Sequence, residues 1–250
     1  MDLGIVIAQR DTKTVYKKDN ETIKLFVEGY SKPNILNEAL NLARVEEVDI
    51  NIPKLKEVKM IENRWALVIE HVEGKSLETL MNENPEKKDE YMNLFVDVQL
   101  NILSHEAPAM LNKIKEKMKR KIASTDLNDD IKFELNTRLE SMPTHSKLCH
   151  GDFNPSNVII TESGEAYIID WAHVTAGNAG ADAARTFLLF SLNGKTEEAE
   201  KYLELFSQKS GIEKRIIQKW IPIVASSQLS KGRDGERDFL MKWIDVIEFQ

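Results

Sequence analysis

The chemistry-bearing stretch of this chain is His150-Gly151-Asp152-Phe153-Asn154-Pro155-Ser156-Asn157. It sets an aspartate and an asparagine five positions apart, behind a histidine and at the head of a β-favouring run, Asn157 to Thr161. Thirteen residues after Asn157, Asp170 ends the next such run, Ala166 to Asp170, and the turn Glu162-Ser163-Gly164-Glu165 joins the two. One hairpin therefore carries two carboxylates and an amide at its lips. Phosphoryl transfer needs that set: a carboxylate to orient an attacking hydroxyl and take its proton, and hard oxygen ligands for Mg²⁺ bridging nucleotide phosphates. Asp152 is the expected base, and Asn157 and Asp170 are the expected metal ligands. The bland alternative is a polar loop whose Asp and Asn only satisfy turn backbone. Against it, four fixed positions at ~5% each recur by chance in about one protein in several hundred. His150 fits a buried histidine bracing the loop by hydrogen bonds better than it fits a base or a metal ligand.

The elements that must hold these residues change character along the chain. Thr12 to Tyr16 and Thr22 to Val27 read as short strands about the turn Lys18-Asp19-Asn20-Glu21, and Ile35, Ala39, Leu42 and Ala43 give helical spacing over 31–47. Val48 to Met60 and Trp65 to Val72 read as two further strands. Beyond Gly74 the periodicity is helical over 77–81, 91–103, 110–122 and 131–142, and again over 179–192, 197–210, 213–229 and 237–249. A compact β insert spans 148–170. The expectation is an α+β protein with a small β-rich lobe, residues 1–72, and a larger, mainly helical lobe, residues 73–250, joined by a hinge near 72–76.

Composition narrows the chemistry further. The chain has 250 residues, 42% hydrophobic and 30% charged, which suits an ordinary globular protein. Its net charge of −7 argues against a general binder of nucleic acid or anionic membranes. Cys149 is the only cysteine, so no disulfide within the chain and no Cys-rich zinc site is available. No apolar run approaches the ~18 residues of a membrane span, and the start lacks a basic, secretory-type segment. A cytoplasmic location is expected.

The loop follows the H-R-D-x-x-x-x-N pattern of protein-kinase catalytic loops. Leu148 to Asp152 through Asn157, then Ile169-Asp170-Trp171, resembles more closely the aminoglycoside phosphotransferase and choline kinase group, small-molecule kinases with a two-lobed, protein-kinase-like fold. Gly151 in place of Arg, and Trp171-Ala172 in place of Phe-Gly, agree with that branch. The resemblance extends to Gly180-Ala181-Asp182-Ala183-Ala184-Arg185, and it implies that Asp182 opens a helix and braces the catalytic loop. In the first lobe it implies that Lys24 contacts the α and β phosphates and that Glu38 pairs with Lys24, with Lys17 and Lys18 as nearby competitors. It also implies that backbone groups from Glu70 to Val72 hydrogen-bond the adenine, ahead of a turn at Gly74 and a helix capped by Ser76. One departure stands out. The phosphate-covering loop, Ala8 to Thr14, contains no glycine, which leaves Thr12, Lys13 or Thr14 to meet the phosphates.

The resemblance implies ATP or GTP as co-substrate, with Mg²⁺, and a small-molecule hydroxyl as acceptor. Residues 234–250 hold five acids and two basic residues, and Asp238 and Asp245 fall two turns apart on one helical face. Carboxylates beside Trp243 suit a cationic amino alcohol, aminoglycoside-like or choline-like. A solvated acidic face with Trp243 buried is the competing reading. From a different class comes a nucleotide-binding pseudokinase or regulatory module without efficient turnover, motivated by the glycine-free loop. A metallophosphoesterase would need several more ligands than His71, His105, His145 and His173 supply.

Overall fold

The computed structural model describes residues 2–244. In chain order the elements are β1 (Ile5–Arg10), β2 (Lys13–Lys18), β3 (Glu21–Phe26), α1 (Lys32–Val45), β4 (Leu55–Ile61), β5 (Arg64–Glu70), β6 (Lys75–Ser76), α2 (Leu77–Glu83), α3 (Lys88–Ser104), α4 (Ile114–Ala123) and α5 (Asp129–Ser141). There follow β7 (Lys147–Cys149), β8 (Val158–Ile160), β9 (Ala166–Ile168), β10 (Thr175–Gly177), α6 (Ala179–Leu192), α7 (Thr196–Ser210), α8 (Lys214–Gln218), α9 (Ile221–Leu229) and α10 (Arg237–Ile244). Two compact units result: residues 1–88 with 155–173, and residues 89–154 with 174–250. The break expected at 72/73 thus runs inside the first unit, because the hairpin β8–β9 pairs with β6 and joins the β-rich part.

In the first unit, β1 to β5 form an antiparallel sheet in the order β1-β2-β3-β5-β4. Alternation sends Ile23 and Leu25 to one face, opposite Val68 and Ala66 on β5, where they make a small core with Ile61. Thr22, Lys24 and Phe26 point to the other face. Helix α1 buries Ile35, Glu38, Ala39, Leu42 and Val45, a three-to-four-residue stripe in which Glu38 is the acidic member. A turn of 3₁₀ helix, Trp171–His173, packs against α1, and the Asn41 side-chain amide donates to the Ala172 carbonyl at 3.2 Å. The stretch expected as strand from Val48 begins only at Leu55. Pro53 cannot donate to a ladder, and the Asn51 carbonyl instead accepts the Ile168 N–H at 2.9 Å.

The second unit is helical around α6, whose residues are buried almost throughout. Phe95 of α3 stacks on Phe153 at 4.5 Å and lies 5.9 Å from the Tyr202 ring. Two helices differ from the periodicity. The run 213–229 splits into α8 and α9, because Pro222 in the first turn of α9 lacks the N–H that would continue α8. The run 110–122 becomes helical only at Ile114, since the Asn112 carbonyl accepts the Ala176 N–H at 2.9 Å and Lys113 bridges to Ala176 of β10. No helix among the described residues is long and apolar enough to cross a membrane.

Candidate active site

The first unit gathers a lysine, two carboxylates and an amide. Lys24 Nζ donates to Glu38 Oε1 at 2.8 Å and to Asp170 Oδ1 at 3.0 Å. All three residues belong to this unit, and Lys24 and Glu38 are both buried. Burial alone pulls the Lys24 ammonium toward neutrality; the charges and hydrogen bonds of Asp170 and Glu38 outweigh it and hold its pKa above that of an ordinary lysine. Lys17 and Lys18 are engaged elsewhere, Lys17 with Glu73 and Lys18 with the Asp2 carbonyl.

Asp170 stands two residues beyond β9 with φ +66°, a left-handed conformation that aspartate tolerates better than most side chains. Val158 of β8 pairs with Ile168 of β9, and one step outward the Ile169 N–H donates to the Asn157 carbonyl at 3.0 Å. Buried Asn157, the last residue of a 3₁₀ turn, is therefore set on the rung beside Asp170. A carboxylate and a side-chain amide are hard oxygen donors, and Mg²⁺ characteristically takes one or two such protein ligands and fills the rest of its octahedron with phosphate and water. The donor set fits that ion.

Lys13 also reaches Asp170, Nζ to Oδ2 3.4 Å, and its ammonium lies 5.8 Å from the centre of the Phe26 ring. The expected seven-residue phosphate loop is here a tight connection. β1 runs to Arg10, β2 starts at Lys13, and only Asp11 and Thr12 turn between them. That short turn fixes Lys13 at a strand end.

At the stretch expected to meet the adenine, the Glu70 N–H donates to the Lys54 carbonyl at 2.8 Å and the His71 N–H to the Asn20 carbonyl at 3.0 Å. Of these three amides, that of Val72 alone has no partner among the described residues. The His71 ring, 2.8 Å from Thr22 Oγ1, has its pKa lowered by burial, against the pull of Glu73. Gly74 passes so close to β8 that a Cβ there would sit 2.4 Å from the Ile160 carbonyl oxygen. Ser76 Oγ then accepts the Thr79 N–H at 3.1 Å and caps α2.

Asp152 belongs to the second unit, on the loop after β7. Its N–H donates to His150 Nδ1 at 3.2 Å, and His150 is fully buried with its ring edge-on to Phe153, 5.9 Å between centres. Asp182, in the first turn of α6, accepts the Gly151 N–H at 2.7 Å and the Gln99 side-chain amide at 3.0 Å. Thr186 Oγ1 donates to the Phe153 carbonyl at 3.0 Å. The loop is thus pinned on both sides of Asp152 by one helix. Arg185, from the same helix, places Nη2 3.3 Å from Asp152 Oδ1. Sequence reasoning quoted Arg185 without a role, although its i+3 spacing from Asp182 places both on one face of α6. Asp238 is exposed in the first turn of α10, and Asp245 lies outside the described residues.

Comparison with solved structures gives the same fold. An apo thermostable mutant of aminoglycoside phosphotransferase APH(4)-Ia superposes with a TM-score of 0.69 at 14% identity, over 97% of this chain and 92% of that one. The same enzyme in a ternary complex with AMP-PNP and hygromycin B gives 0.69 at 15% identity over the same shares. Choline kinase LicA from Streptococcus pneumoniae gives 0.64 at 18% identity, over 95% of this chain and 91% of LicA. Comparison with curated proteins gives no match. The match that decides the matter is in the sequence itself, where residues 11–215 fit the phosphotransferase enzyme family, and this chain, a small-molecule kinase, belongs to that family.

Proposed function

We propose that the chain moves the γ-phosphoryl group of ATP or GTP, as its Mg²⁺ complex, onto a hydroxyl of a small molecule. The observation that carries this reading is Lys24 suspended between Glu38 and Asp170, with Asn157 on the adjoining rung. The acceptor oxygen bonds to the γ-phosphorus while the bond from that phosphorus to the β-bridging oxygen breaks. The hydroxyl proton passes to Asp152, and the nucleoside diphosphate leaves. Asp170 and Asn157 are the residues that would hold Mg²⁺, which would supply neutralisation of the phosphate charge there. Lys24 pairs with the inner phosphates, and Lys13 supplies the charge that a glycine-rich loop would otherwise replace with backbone N–H groups. The Val72 amide serves the adenine, because those of Glu70 and His71 are spent within the fold. His150 and Asp182 hold the loop on which Asp152 sits.

An amino-alcohol acceptor finds support in the neighbours, since APH(4)-Ia is described with hygromycin B and LicA is a choline kinase. The acidic wall expected for it is thinner: Asp238 is exposed, and the groups around Asp152 are cationic. The test is a coupled assay of nucleoside diphosphate release with and without acceptors, at varied Mg²⁺. Mg²⁺-dependent release that tracks acceptor phosphorylation is expected. Tight nucleotide binding with no acceptor-dependent turnover would favour the pseudokinase or regulatory module instead.

A further inference from the structure

The loop that carries Asp152 is held by a hydrogen-bonded network that lies wholly inside the second unit and extends past the helix that touches the loop. Its members come from three helices. Gln99 belongs to α3, Asp182 and Thr186 to α6, and Tyr202 to α7, and all four side chains are buried. Gln99 stands at the centre. Its amide nitrogen donates to Asp182 Oδ2 at 3.0 Å and to Thr186 Oγ1 at 3.3 Å, and its Oε1 accepts the Tyr202 hydroxyl at 2.6 Å.

The direction of each bond follows from what each group can give. An ionised carboxylate only accepts, so the end of the Gln99 amide that faces Asp182 must be the nitrogen. That choice turns Oε1 toward α7, where the Tyr202 hydroxyl meets it. Both amide protons are then in use, one on Asp182 and one on Thr186. The Thr186 oxygen, already accepting, has a single proton, and it goes to the Phe153 carbonyl at 3.0 Å. The other Asp182 oxygen accepts the Gly151 N–H at 2.7 Å. The bonds therefore run one way, from Tyr202 through Gln99 to the two backbone groups that flank Asp152.

Asp182 makes no ion pair among the described residues, so its charge rests on two N–H donors and on its place in the first turn of α6. An apolar side chain at position 99 could fill similar space, but it would leave this buried carboxylate one donor short and free the Thr186 hydroxyl to turn. Tyr202 packs among Phe95, Phe190 and Phe206, contacts that a phenylalanine would keep; only its hydroxyl acts on Gln99.

We infer that Gln99, oriented by the Tyr202 hydroxyl, is a positioning residue for Asp152, acting not on its carboxylate but, through Asp182 and Thr186, on the backbone at Gly151 and Phe153. This rests on the reading of Asp152 as the base in phosphoryl transfer.

The test is amide hydrogen exchange of the full chain, followed by NMR in the wild type, Tyr202→Phe, Gln99→Met and the double variant. In Gln99→Met the Gly151 amide should exchange about tenfold faster or more, as its hydrogen bond to a charged group weakens. Tyr202→Phe should give a smaller rise at the same amide, and in the double variant it should add nothing, because it acts only through Gln99. Amides inside α3, α6 and α7 should keep wild-type rates. Hydrolysis of Mg-ATP, with water in the acceptor's place, should lose kcat by a like factor with KM for Mg-ATP unchanged. Unchanged Gly151 exchange in Gln99→Met, a rise shared equally by the three helices, additive effects in the double variant, or a raised KM at constant kcat would each overturn the inference. If Gln99→Met does not fold, Tyr202→Phe decides, and wild-type exchange at Gly151 in that protein overturns it. Binding of Mg-AMP-PNP by the wild-type chain keeps the two readings apart. If it fails, the phosphotransfer reading falls, while the exchange rates still decide whether Gln99 holds the loop.

Discussion

Asp170 carries three demands at once: a left-handed backbone, two lysine contacts and the expected metal. An alanine there would change backbone strain together with charge, so Asp170→Asn is the cleaner variant, since asparagine shares the tolerance of φ > 0. It should abolish Mg²⁺-dependent turnover and, because it takes one charge from buried Lys24 but Asp170 is part-exposed and Asn can still accept from Nζ, lower the thermal midpoint less than the loss of Glu38 does, as steady-state kinetics beside a melting curve would show. Asp152, the proposed proton acceptor, makes a different demand: its loop is pinned at Gly151 and Phe153 by α6, and its carboxylate meets Arg185. General-base assistance contributes ~10²–10⁴ in rate. Asp152→Asn should lower kcat by about that range with nucleotide KM unchanged, and a loss of nucleotide affinity instead would relocate Asp152 to the phosphates.

Between elements, the Lys24–Glu38 ion pair is buried on both sides, and it ties β3 to α1. Removing one partner of a buried pair costs about 3–5 kcal/mol. Glu38→Ala should fall near the low end, about 3 kcal/mol, because Lys24 keeps Asp170; the midpoint of urea unfolding would drop with its slope unchanged. The junction of β6 with β8 is equally constrained. Gly74→Ala puts a methyl against the Ile160 backbone, which cannot yield as a flexible side-chain end can, so it should cost about 3 kcal/mol. A measured loss below about 1 kcal/mol would mean that β6 re-pairs easily.

At the scale of the whole molecule, a net charge of −7 coexists with a locally cationic region, so overall charge says little about the ligand. The lysine pKa values make the region pH-sensitive. Lys231 at about 7 and Lys117 at about 8 lose their protons as pH rises, among the fixed charges of Arg185, Arg233, Lys121, Asp152, Asp182 and Glu236. The sign for the fold alone follows from the same values. The unfolded lysines titrate near 10.5, above the folded ones, so between about 7 and 10.5 the unfolded chain binds more protons, and the penalty these two residues place on folding, full below about 7, is relieved as pH rises, which urea-unfolding midpoints across that range would measure.

Much of the candidate site could be read along the chain because it is local. Asp152, Asn157 and Asp170 lie within nineteen consecutive residues whose loop, strand and turn signals are strong; the hairpin β8–β9 carries Asn157 and Asp170, whereas the expectation that it would carry Asp152 too is corrected by the fold, which sets that residue on the loop after β7 in the second unit. Glu38 could be placed in the apolar stripe of α1 from periodicity, and Lys24 on a strand from alternation, but that they meet, and meet Asp170, depends on β3 facing α1. The phosphate loop misled because a stretch without glycine looks like a poor loop, whereas the β1–β2 register closes it into a two-residue turn. The boundary between units moved because β8 pairs with β6 across more than eighty residues, which no local signal records. Helix-start positions shifted where backbone groups were claimed elsewhere, as at Lys113, or could not be supplied, as at Pro222. The cationic surroundings of Asp152 were hidden altogether. Arg185 reads as an ordinary helix-borne charge, and only the tertiary structure brings it to 3.3 Å from Asp152.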